Sequence, residues 1–150
     1  MSESDVADTL APPPHAEHIV LPDGEAFIWS PHRGIVVQRA TGRLSLPMAQ
    51  FFTSFFRRLL AQGLRLQIFI DLDGLTDYTR EAREYLNQFT IENLAGLEGS
   101  HFLLSSKVVA LVVGSFKHVV NEPTVNTYFD RASFRESYDR AVAAVAASRP

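Results

Sequence analysis

Residues 66–79 read LQIFIDLDGLTDYT, and the fold turns on how this stretch is parsed. Leu66 to Ile70 places apolar side chains on near-consecutive positions, the pattern of a strand covered on both faces. The strand runs straight into Asp71, Asp73 and Gly74, two carboxylates one residue apart and then a glycine turn. In an open α/β sheet, ligands and partners are met at the carboxyl ends of the strands. The segment therefore predicts a central strand and, at its end, the edge of the sheet where function resides.

Working outward, Ser45 is a good helix N-cap with Pro47 tolerated in the first turn. Phe51, Phe52, Phe55, Phe56, Leu59 and Leu60 then recur at the helical period until Gly63. Such a face suits a helix laid on a sheet. Before it, IVVQRATG (35–42) and Ala26 to Trp29 read as strands, and Pro22-Asp23-Gly24 as a turn after an ordered start at His18 to Leu21. After the acidic loop, Asp77 or Thr79 can cap a second helix. Ala82, Tyr85, Leu86 and Phe89 form its buried stripe, Arg80, Glu81, Arg83 and Glu84 face water, and Gly96 and Gly99 break it. VVALVV (108–113) predicts a second fully buried strand, Gly114 to Asn121 a turn or short helix stopped by Pro123, and Val125 to Phe129 an outer strand. Asp130 caps a last helix with Phe134, Tyr138, Ala141, Val142 and Val145 on one face. Strands alternating with helices predict an α/β fold: a mainly parallel central sheet of four to six strands, covered by three to four helices.

The chain has 150 residues, enough for one domain with one core, and its 46% hydrophobic and 21% charged residues suit a globular protein. Residues 1–16 are polar, acidic and interrupted by Pro12-Pro13-Pro14; they predict a disordered acidic tail, with a single domain over 17–150. The start has neither the basic nor the apolar region of a secretory signal, and no apolar run approaches the ~20 residues of a membrane span. The absence of cysteine excludes disulfides and thiolate metal sites and fits a reducing cytoplasm. Charge is asymmetric. Residues 1–25 carry six acids and no Lys or Arg, whereas residues 26–70 carry six arginines and no acid. With a net charge of −3 and no aromatic–basic motif, a nucleic-acid partner is not expected.

The acidic loop admits two readings. IFIDLDGLTDYT resembles the first motif of the haloacid dehalogenase superfamily, an apolar strand followed by Asp-x-Asp-Gly-Thr. That resemblance implies a magnesium-dependent phosphatase in which Asp71 is the nucleophile and Asp73 the acid/base, with Lys107 as a phosphate-binding lysine. The chain departs from the pattern. Leu75 separates Gly74 from Thr76, the motif sits at mid-chain, and no carboxylate follows VVALVV until Glu122. Bound only by Asp71 and Asp73, a divalent ion would lack the converging oxygens it needs.

More of the chain resembles STAS domains, the anti-sigma-factor antagonist fold with its SpoIIAA-like relatives. There a central strand ends in Asp-Leu-Ser-Gly-Val-Thr and a Ser-containing segment opens the next helix. DLDGLT (71–76) matches the strand end, DYTREAREYL (77–86) the helix start, GIVVQRATGRLS (34–45) the entry strand, and NTYFD with RASFRESYDRAV (126–142) the closing strand and helix. The resemblance covers about residues 34–146 and implies a non-enzymatic regulatory domain in bacterial signalling, without cofactor or metal, that binds a protein partner. The expected docking surface is Asp73, Tyr78, Thr79, Arg80, Glu81, Arg83 and Glu84, with Tyr78 as aromatic anchor. Asp71 is expected to brace the loop by accepting backbone N–H groups, and Asp73 to be exposed. STAS domains often switch by phosphorylation of a serine at that helix start. The serine is absent here, and Thr79 is the one hydroxyl placed to stand in for it. A homodimer is compatible with the phenylalanine-rich face.

The remaining candidates are few. The five histidines show no metal spacing, Ser105 and Ser106 lack a nucleophile-elbow context, and no glycine-rich phosphate loop occurs. His118 and Asn121, after a buried strand, are candidates for a ligand crevice. A small apolar ligand or lipid beneath the Phe-rich helix is a further alternative.

Overall fold

The computed structural model of the chain describes residues 10–105 and 125–147. Its first three strands, β1 (Glu17–Leu21), β2 (Gly24–His32) and β3 (Ile35–Leu44), form an antiparallel meander. Pro22 and Asp23 close the first hairpin, since Leu21 already pairs with Gly24. The chain then crosses over through α1 (Leu46–Leu60) and returns as β4 (Leu66–Asp71), parallel to β3. A short strand, β5 (Leu75–Tyr78), follows and pairs with the far end of β3. Next come α2 (Arg80–Glu92), a 3₁₀ turn at Leu94–Gly96, and β6 (Leu97–Leu103). Finally β7 (Val125–Tyr128) precedes α3 (Arg131–Ala147). The main sheet order is β1-β2-β3-β4-β6-β7, parallel from β3 onward.

Side-chain alternation along the strands divides the core in two. Val36 and Ala40 on β3 and Ile68 and Ile70 on β4 face one side, where Phe52 and Phe56 of α1 and Ala82 and Phe89 of α2 cover them. Ile35, Val37 and Phe69 face the other, where Phe134 of α3 closes a second core with Tyr138, Ala141, Val142 and Val145 packed around it. The stripes expected on all three helices are the faces that pack against the two cores, where Thr53, Thr90 and Ser137 are buried beside them. Leu10 is buried beside Trp29 in this second core, and Ala16 packs against the same cluster, so residues 10–16 contribute to it.

Two strands depart from the expected order. The sequence predicts Gly96 and Gly99 only as breaks in a helix, yet Leu97–Leu103 is a parallel strand between β4 and β7. Its LEGSHFL pattern hides the strand because Ser100 and His101 occupy positions where a buried strand usually carries Val or Ile. Between the acidic loop and the second helix, where the sequence predicts no strand, lies β5, four residues long. The expected strand at 108–113, the turn at 114–121 and Pro123 lie outside the described residues.

A polar cluster is enclosed beneath α3. His101 stacks on Phe69 with ring centroids 4.3 Å apart. Its Nε2 lies 2.9 Å from Gln67 Oε1, and its Nδ1 lies 3.1 Å from the Tyr128 hydroxyl and 3.2 Å from Ser137 Oγ. Tyr128 donates in turn to Ser137 Oγ at 2.8 Å. With Nε2–H donating to the Gln67 carbonyl oxygen and Nδ1 accepting a hydroxyl proton, the neutral imidazole satisfies both nitrogens. Burial, joined by the positive charge of Arg140, lowers the His101 pKa to about 4. Gly99 leaves the room this needs, because a Cβ there would stand 3.1 Å from Gln67 Oε1.

Candidate functional site

The carboxyl end of β4 is tied down by its own sequence and by a residue sixty positions away. Asp71 is buried, 2% exposed, because β4 is a central strand flanked by β3 and β6. Its Oδ1 accepts the Asp73 backbone N–H at 3.1 Å, the turn-forming contact that an Asp favours two residues ahead. Its Oδ2 accepts from Arg131 Nη1 at 3.0 Å, with Arg39 Nε 4.0 Å away. The second Arg131 nitrogen donates to Asp73 Oδ2 at 2.6 Å. One guanidinium therefore bridges both carboxylates. Burial works against the charge of Arg131, but Asp71 and Asp73 outweigh it and hold the pKa above the ordinary arginine value.

The turn is anchored on its other side by backbone. Leu75 N–H donates to Leu72 C=O at 3.0 Å and Gly42 N–H to Gly74 C=O at 3.0 Å, while Ser105 Oγ donates to the Asp73 carbonyl at 2.7 Å. Gly42 takes φ +78, open to glycine at no steric cost, and a Cβ there would run into the Asp23 carbonyl. In β5, Asp77 sits opposite Arg43 on β3 and accepts from its Nε at 3.0 Å and Nη2 at 2.9 Å. That Arg43 bond, and the Tyr78 N–H after it, lower the Asp77 pKa.

At the start of α2 the cap is Thr79, not Asp77: Thr79 Oγ1 accepts the Ala82 N–H at 3.1 Å. Ser45 holds the corresponding place before α1, but its hydroxyl makes no cap bond and is buried without a partner. Thr79→Ala is therefore expected to cost about 1 kcal/mol, and Ser45→Ala nothing or less than nothing. Chemical denaturation of the two variants side by side measures this contrast.

The residues expected to form a docking surface fall along one stretch of surface from the turn into α2. Asp73, Arg80, Glu81 and Glu84 are exposed, whereas Tyr78, Thr79 and Arg83 are half-buried. Tyr78 packs against the first core, so its ring is partly spent on stability. Arg80 Nε pairs with Glu84 at 2.8 Å across one helical turn, the contact that first of all raises the Arg80 pKa. His118, Asn121, Lys107 and Ser106 lie outside the described residues. Sequence reasoning missed Arg131 and Phe129. Phe129 follows β7 at the same end of the sheet and is 70% exposed. The available signal was topological: a helix following an outer parallel strand begins at the carboxyl edge, so its first residues face the β4 turn.

This arrangement favours bracing over bond-making. Both Asp71 oxygens are engaged, and a guanidinium occupies the space between Asp71 and Asp73 that a bridging magnesium ion would need. Among the described residues no group of three or more His, Asp or Glu side chains is gathered to hold a metal ion, and no helix is long and apolar enough to cross a membrane.

No family model and no curated protein matches the chain. Solved structures do share its architecture. An uncharacterised protein of the DUF3478 family with a SpoIIAA-like fold, from Shewanella loihica PV-4, superposes with a TM-score of 0.58 at 10% identity, covering 74% of this chain and 91% of that one. The anti-sigma factor antagonist SpoIIAA in its unphosphorylated form superposes with a TM-score of 0.54 at 16% identity, covering 76% of this chain and 94% of that one. The chain has a SpoIIAA-like α/β fold, with the mixed sheet and two-sided helix cover described above.

Proposed function

We propose, with the SpoIIAA-like fold as premise, that this chain is a non-enzymatic regulatory domain of bacterial signalling. It works in the cytoplasm by binding a protein partner through the β4–β5 turn and the start of α2. Asp73, Thr79, Arg80, Glu81, Arg83 and Glu84 supply the polar contacts, with Tyr78 beside them. The observation that carries this reading is the Arg131 bridge, which uses the two acids to hold the turn in one shape. A turn fixed before binding loses little conformational freedom on docking, which favours affinity. Exposed Phe129 at the same edge adds an aromatic contact of the kind enriched at protein interfaces. Phosphorylation at Thr79 would add about −2 charge at the head of α2 and so alter this surface.

The test is affinity capture from the native host with the wild-type chain, Arg80→Glu/Arg83→Glu and Thr79→Asp. Arg80 and its partner Glu84 are largely exposed whereas Arg83 is half-buried, so thermal denaturation of the double variant accompanies the capture and establishes that its fold is intact. A protein retained by the wild type and lost at least tenfold, about 1.4 kcal/mol, by the arginine variant supports the reading. Equal recovery by both removes α2 from the surface. Size-exclusion chromatography with light scattering determines whether the partner is a second copy.

A further inference from the structure

A cavity of about 80 Å³ lies between the sheet and the two helices that cover its first face. Interiors hold few voids larger than a water, and one water needs only ~10–15 Å³. Phe52 and Phe56 of α1, Leu86 and Phe89 of α2, and Ile68 and Ile70 of β4 provide much of the wall. Among the described residues no charged side chain lines it. Gln38 does line it, at the middle of β3, between its register partners Ile28 on β2 and Ile70 on β4. The Gln38 side chain is buried, 7% exposed, and its Oε1 has no hydrogen-bond partner. Of the two hydroxyls in the wall, Thr90 spends its own on the Leu86 carbonyl at 2.9 Å, and Ser100 makes no bond to Gln38 Oε1.

Two costs to stability thus coincide. An unfilled apolar space forfeits packing contacts, and a buried acceptor without a donor forfeits a hydrogen bond. A leucine at position 38 would remove the second cost and reduce the first. A single kind of molecule relieves both: neutral, largely apolar, small, and carrying one hydrogen-bond donor.

We propose that the cavity is a binding site for a small uncharged amphiphile, a single ring or short alkyl chain bearing one hydroxyl, with the hydroxyl donating to Gln38 Oε1. The apolar wall rejects charge, because an ion would enter without a counter-charge or enough polar partners. The amide supplies selectivity, since an analogue lacking the hydroxyl leaves Gln38 unpaired.

The experiment is an NMR titration of the whole purified chain with phenol and with benzene, probes small enough for a space of this size, following isoleucine methyl groups. Saturable shifts concentrated on Ile68 and Ile70 are expected, with the phenol bound about tenfold more tightly than the hydrocarbon. In Gln38→Leu that preference disappears, while the melting temperature of the ligand-free chain rises by about 2–4 °C. Gln38→Met, closest to glutamine in shape, is measured alongside and behaves the same way if leucine does not fit. Absence of saturable shifts, shifts centred on methyls away from the cavity, or a phenol preference that survives in both variants overturns the proposal.

Discussion

Arg131→Leu is expected to destabilise the chain by about 3 kcal/mol, the low end of what removing one partner of a buried ion pair costs. For a domain of this size that is a fall in melting temperature of about 6–12 °C. The cause is Asp71, which is 2% exposed and loses the guanidinium 3.0 Å from its Oδ2. Arg39, at 4.0 Å, recovers only part of the loss. The double variant Asp71→Asn/Arg131→Leu is expected to regain more than half of it, because the asparagine carries no charge and still accepts the Asp73 N–H. Urea denaturation of the two single variants and the double variant measures the coupling. If the cost of Arg131→Leu persists undiminished in the double variant, packing of the arginine stem explains it, and the bridge does not.

The second large effect is acid sensitivity. His101 has a pKa of about 4 in the folded chain, against an ordinary value of 6.5. Between those values the unfolded chain binds a proton that the folded chain refuses, so stability falls as the pH is lowered through this window. From pH 7 to pH 4.5 the loss from this one group is expected to be about 2 kcal/mol. A protonated ring would present Nδ1–H to the Tyr128 and Ser137 hydroxyls, reversing the direction in which that chain of bonds is satisfied. Denaturant midpoints across this range, for the wild type and for His101→Gln, isolate the contribution: the variant's curve should be flatter by that amount. Parallel curves would show that carboxylates alone govern the acid response.

Much of the architecture was legible because hydrophobic spacing reports burial directly. The near-continuous apolar run at 66–70 placed β4 at the centre of the sheet, and the phenylalanines of α1 and the stripe of α3 marked the faces that the two cores bury. N-cap chemistry is local, so the sequence narrowed the cap of α2 to Asp77 or Thr79, and the structure uses Thr79; the same reading of Ser45 before α1 finds no cap bond. What escaped notice was set by distant contacts. β6 looked broken because Ser100 and His101 are polar and Gly99 makes room for Gln67 and His101, none of which shows until strands and helix are assembled. β5 is four residues long and gains its strand character from β3. Asp71 and Asp73 marked the carboxyl end of β4 as a candidate site, but only the return of the chain after β7 brings Arg131 between them.

That return has a consequence for time as well as for energy. The β1–β2–β3 meander needs only neighbouring segments to meet, whereas the link from Arg131 to Asp71 spans 60 residues and waits for the sheet to reach its last strand. Contacts of such long range carry a large loop-closure cost, and the clasp is expected to be made after the folding transition state. The Arg131 clasp therefore governs how long the assembled domain persists far more than how quickly it forms: losing it should accelerate unfolding and leave the refolding rate nearly unchanged. The turn at the carboxyl edge is held by the first residue of α3, so its lifetime is expected to follow the residence of that helix on the sheet.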